Sequence, residues 1–84
     1  MWSNIRKYLE GYPERLNVAR VLVENGLSVR NGKIYLNEIE VPPVRVARAA
    51  GVDRRTVNET LKAIKANREL RQIFEEIRSA GHSL

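Results

Sequence analysis

Arg54, Arg55, Asn58 and Glu59 fall within six consecutive residues and carry side chains that can pair with base edges in duplex DNA. An arginine fork matches guanine O6 and N7, an asparagine amide matches adenine N6 and N7, and a glutamate accepts from cytosine N4. At about 100° per residue along a helix over 54–66, Arg55, Asn58, Glu59 and Lys62 share one side, flanked by Arg54 and Lys65. Val57, Leu61 and Ile64 take the opposite side. Arg54, Arg55 and Asn58, near the helix start, are the first candidates for base reading, with Glu59 a fourth. Lys62, Lys65, Arg45 and Arg48 suit phosphate oxygens, and Thr56 suits either a phosphate or a first-turn cap. The bland alternative is a solvated face, since Arg55 with Glu59 and Glu59 with Lys62 have the spacing of ordinary surface ion pairs.

Such a face works only if another element holds the helix at a fixed angle. The run from Val46 to Val57 reads as a short helix, a glycine-centred turn and the start of a second helix. That is the spacing of a helix-turn-helix, whose second helix enters the major groove. Ala47 is small enough for two helices to cross closely. Gly51 permits the left-handed backbone that ends the first helix sharply. Val52 is apolar and can fill the angle between the helices. Asp53 is expected to accept a backbone N–H as N-cap, with its charge at the positive end of the helix.

The net charge of the 84-residue chain is +5, and its distribution says more than its size. Residues 1–42 hold six basic and five acidic side chains. Residues 43–71 hold Arg45, Arg48, Arg54, Arg55, Lys62, Lys65, Arg68 and Arg71 against Asp53, Glu59 and Glu69, which carries the whole +5. Residues 72–84 contribute Arg78 against Glu75 and Glu76. A phosphate-binding surface needs such a concentration. Arginine outnumbers lysine and there is one glutamine, which leans towards a thermophilic source and supplies the rival account of an arginine-rich surface.

Around this motif the chain reads as one mostly α domain over residues 1–80, with a small antiparallel β-meander. Helices are expected over about 3–11, 14–25, 43–50, 54–66 and 68–79. Ser3 is a possible cap for the first, Gly11-Tyr12-Pro13 breaks it, and Asn25-Gly26 ends the second, which should be the most buried. The meander covers 27–41. Asn31-Gly32 between alternating segments signals a hairpin, because both residues tolerate positive φ, and Asn37-Glu38 turns again. Asn67 can cap the last helix and Gly81 can end it. Residues 81–84 read as a tail, or the start of a linker to a further domain.

Other chemistry is poorly supplied. There are no cysteines, hence no disulfide and no thiol chemistry, and a reducing cytoplasmic setting suits that composition. No apolar run approaches membrane-spanning length, and no membrane partner is expected. His82 is the single histidine, in the expected tail, and Asp53 the single aspartate. Glu38, Glu40, Glu75 and Glu76 read as solvated faces, and no nucleophile stands with a base. No enzyme activity, metal or cofactor is expected in this domain. Trp2 and Tyr35 read as core or rim.

The run from Val46 to Val57 resembles the helix-turn-helix of lac-repressor-type regulators, in which the two positions after the cap, here Arg54 and Arg55, read bases. Over the whole chain, Gly11-Tyr12-Pro13-Glu14-Arg15, Gly26 to Tyr35 and Gly51-Val52-Asp53-Arg54-Arg55 resemble archaeal regulators with an N-terminal helix-turn-helix and a C-terminal ACT domain. That resemblance implies transcriptional control of amino-acid metabolism, with an amino-acid effector bound by the second domain. The expected partners are double-stranded DNA and a second copy, since helix-turn-helix proteins usually bind two half-sites as dimers. The rivals are a protein-interaction module of the same fold and RNA binding through the basic face.

Overall fold

A computed structural model describes residues 1–81; His82 lies outside them. Five helices surround one three-stranded sheet: α1 (Trp2–Leu9), α2 (Pro13–Glu24), β1 (Leu27–Arg30), β2 (Lys33–Leu36), β3 (Ile39–Val41), α3 (Pro43–Ala50), α4 (Arg54–Ala66) and α5 (Arg68–Glu75). The strands run antiparallel in the order β1-β2-β3, with Val29 opposite Ile34 and Leu36 opposite Ile39. This is the expected mostly α architecture with a β-meander. A sheet this small is unstable alone. Val29 and Ile34 bury their shared face, and β1 packs against α2 and α5.

The core is continuous and draws on every helix. Ile5 and Leu9 of α1, Val18, Ala19 and Leu22 of α2, Val57 and Ile64 of α4, and Leu70 and Phe74 of α5 are all buried. Helix α2 lies at the centre, touching α1, α3, α4 and β1. Between α1 and α5, the Tyr8 hydroxyl donates to Glu69 Oε1 at 2.6 Å. That hydrogen bond to a carboxylate holds the Tyr8 phenol above its usual pKa of 10.0. Among the described residues no helix is long and apolar enough to cross a membrane.

Two helix ends depart from expectation in how they are capped or closed. Helix α1 begins at Trp2, so Ser3 lies inside the first turn, and Met1 occupies the cap position without a side-chain bond. Trp2 is half-buried against the core, and that contact draws the first turn forward. Helix α5 starts as expected, with Asn67 Oδ1 accepting from Leu70 N–H at 3.1 Å, but it stops at Glu75 rather than Ser79, and Gly81 plays no part in ending it. The chain leaves the helix because its next residues have other partners. Ile77 packs on the core, Asn37 Oδ1 accepts from Ser79 N–H at 3.0 Å, and Asn37 Nδ2 donates to Ser79 Oγ at 2.8 Å. The Arg78 guanidinium donates to the freed carbonyls of Glu75 and Ile77.

This tail closes tightly over Gly26. At φ +65° Gly26 is left-handed, and a Cβ built there would lie 2.9 Å from Ser79 Cα. Gly51, at φ +68°, has nothing within 4 Å of the same position. Gly51→Ala should therefore cost only the left-handed strain of an L-residue, about 1–2 kcal/mol. Gly26→Ala adds a backbone collision to that strain and should cost at least about 1 kcal/mol more. Urea unfolding of the two variants checks this, and equal losses would contradict the packing of residues 77–79 against the turn.

Candidate nucleic-acid interface

The turn between α3 and α4 is clamped by backbone bonds. Gly51 N–H donates to Arg48 O at 3.3 Å and Val52 N–H to Ala47 O at 3.0 Å, the paired bonds of a Schellman end. Asn17 of α2 donates through Nδ2 to Ala50 O at 2.6 Å, satisfying a further carbonyl, and its own Oδ1 accepts from Arg20. Val52 is half-buried between the helices, as its apolar character predicts. Asp53 departs from expectation. It holds the N-cap position with extended backbone, φ −72° and ψ 147°, yet its carboxylate makes no capping bond. Its backbone carbonyl accepts instead, from Thr56 N–H at 3.0 Å. What remains of its cap role is a negative charge at the positive helix end.

Helix α4 divides as its spacing requires. Val57, Leu61 and Ile64 are buried, while Arg54, Arg55, Asn58, Glu59, Lys62 and Lys65 are exposed and Thr56 is half-buried. Thr60 joins the buried face, although its polar side chain does not mark it for the core. Its hydroxyl donates to Thr56 O at 2.7 Å, so burial leaves no polar atom unpaired. The signal was its 3.6-residue register with Val57 and Ile64, masked by its polar type.

The pairs Arg55–Glu59 and Glu59–Lys62, which the alternative of a solvated face allows by their spacing, do not form. Among the described residues the single ion pair is Arg30–Glu38, at 3.8 Å on the sheet. Exposed pairs gain little Coulomb energy in water and lose side-chain entropy, so their absence costs the fold little. The cationic side chains of α4 therefore face solvent unneutralised. Two of them are also badly placed for helix stability. Arg54 and Arg55 stand in the first turn, which holds no acidic residue, where the macrodipole disfavours positive charge by about 0.3–1 kcal/mol each.

Two loops wall this face. On one flank, Thr56 and Glu59 line a cleft with Gly11 and Tyr12 of the turn between α1 and α2 and with Pro13, Glu14 and Arg15 of the first turn of α2. There the Arg15 guanidinium stacks 4.2 Å from the centre of the exposed Tyr12 ring. On the other flank, Asn58, Leu61, Lys62 and Lys65 line a groove with Gly32 at the β1–β2 hairpin tip. Arg71 lies beyond it, donating to Lys65 O at 2.8 Å. Arg71 belongs to the charge excess of residues 43–71, and nothing local in the chain joins it to the last turn of α4.

Of the two α3 arginines, only Arg45 is shown to lie away from the α4 face. Arg48 is exposed in the last turn of α3. Arg45, expected on phosphates, lines an apolar groove with Val21, Leu27, Leu36, Val41 and Ala49, to which α4 contributes no residue. Among the described residues no three His, Asp or Glu side chains converge in a metal-binding cluster. Compared with known proteins, the chain matches no family model, no curated protein and no solved structure.

Proposed function

We propose that this chain binds double-stranded DNA as the reading domain of a transcriptional regulator, with α4 in the major groove. The observation that carries the reading is one helix face: Arg54, Arg55, Asn58, Lys62 and Lys65, all exposed and free of ion pairs, on a helix clamped by a glycine turn. At 13 residues, α4 is about 20 Å long and offers more than three turns to the groove. Arg54, Arg55 and Asn58 read bases, with Glu59 accepting from cytosine. Lys62, Lys65, Arg48 and Thr56 fix the register on phosphates. The chain does this as a dimer on two half-sites, in the cytoplasm. Its resemblance to ACT-domain regulators extends the proposal to amino-acid metabolism, with the effector bound by a second domain.

The test is titration with duplex DNA at two salt concentrations, beginning with sites selected from random sequence. Affinity should fall with salt at a slope of about 0.9 per phosphate contact, and selected duplexes should outcompete scrambled ones. Absence of binding at low salt rejects the proposal. Tighter binding to structured RNA than to any duplex would move the function to RNA.

A further inference from the structure

We propose that the β1–β2 hairpin tip, Asn31–Gly32–Lys33, is a second nucleic-acid contact that grips the phosphate backbone beside the groove occupied by α4. The inference rests on the reading of α4 as a DNA-reading helix. It starts from position. Gly32 shares one groove with Asn58, Lys62 and Lys65, and a second with Asn31, Lys65, Arg71 and the carboxylate of Glu75, while Lys33, next in the chain, lines neither. The Lys65 Cδ lies 3.9 Å from where a Gly32 Cβ would stand. A polyanion lying along the α4 face therefore meets the tip directly alongside the lysines.

The chemistry of the tip suits phosphate. Asn31 and Lys33 are both exposed, and Lys33 is in no ion pair. Neighbouring Arg30 is already committed, stacked 4.2 Å over the Tyr35 ring and donating to Asn37 O at 2.7 Å. Asn31 and Gly32 have φ of 53° and 77°, the two-residue turn expected between paired Arg30 and Lys33. Among the described residues neither one donates its backbone N–H to another backbone group outside the strands. Two free N–H donors, one on a residue without a side chain, let an oxyanion approach the backbone closely. The tip is also held in place, because Val29 and Ile34 just behind it are buried in the core. Contacts of this kind position the duplex and carry no sequence information.

Two variants test the tip against selected and scrambled duplexes. Lys33→Ala removes one phosphate partner, and Asn31→Asp keeps a residue that tolerates the left-handed turn while adding a negative charge. Both should bind every duplex several-fold more weakly than wild type, with the ratio between selected and scrambled sites unchanged. Lys33→Ala should also lower the salt slope by about 0.9. Lys7→Ala, on α1, where the ammonium lies 5.2 Å from the centre of the Tyr8 ring, is the control and should bind as wild type does. Thermal unfolding of both tip variants should match wild type, which excludes loss through misfolding. If wild type binds DNA while Lys33→Ala and Asn31→Asp keep its affinity and slope, the tip is not a contact and the reading of α4 stands. If wild type binds no duplex, the reading of α4 fails and takes the tip with it.

Discussion

Replacing Phe74 with alanine is expected to cost about 3–5 kcal/mol of folding stability. Phe74 is fully buried, on a helix of only eight residues that contacts both β1 and α4. Truncation loses the transfer energy of the ring and leaves a cavity that three separate elements would have to close. A domain of this size has about 4–13 kcal/mol in total. The variant should therefore lose much of its stability, with a midpoint lowered by on the order of 20 °C. Phe74→Leu keeps most of the volume and should cost under about 1.5 kcal/mol. Urea unfolding with both variants gives the comparison. A loss below about 1 kcal/mol for alanine would mean that α5 is peripheral and does not brace the back of α4.

The second large effect concerns recognition. Arg54→Ala with Arg55→Ala should abolish most of the preference for a selected duplex over a scrambled one. Each bidentate arginine–guanine pair contributes about 1–3 kcal/mol of discrimination, so losing two lowers the preference by on the order of 100-fold. Lys62→Ala with Lys65→Ala should behave differently, weakening binding to all duplexes alike and lowering the salt slope by about 1.8. Stability separates a reading role from a structural one. Both arginines are exposed and unpaired at the unfavourable end of the helix dipole. The double variant should therefore be as stable as wild type or slightly more so. A clear loss of stability, with sequence preference intact, would show that the arginines serve the fold and leave the bases unread.

These two residues also show why so much of the site is legible in the chain. The face of α4 follows from helical geometry once the helix is placed, and the helix is placed by its neighbours in sequence. Gly51 takes the left-handed conformation, Val52 fills the angle, and Asn31-Gly32 makes the two-residue hairpin turn. In each case the information lies in adjacent residues, because backbone φ preference is a local property. Capping was less legible. Asn67 caps α5 with its side chain, whereas Asp53, at the same kind of position, leaves the bond unmade. Residue type makes a cap possible, and side-chain conformation decides whether it forms.

Sequence alone therefore determined the order of the elements, the turn that presents α4 and the residues on its outer face. All of these depend on contacts within a few positions. Tertiary structure decided what surrounds that face and where the last helix stops. Asn37 meets Ser79, Gly26 meets Ser79, Gly32 meets Lys65 and Thr56 shares a cleft with Tyr12, in every case across more than thirty residues of chain. No periodicity encodes such meetings, since they arise only when the shared core draws α2, the sheet and α5 together around α4.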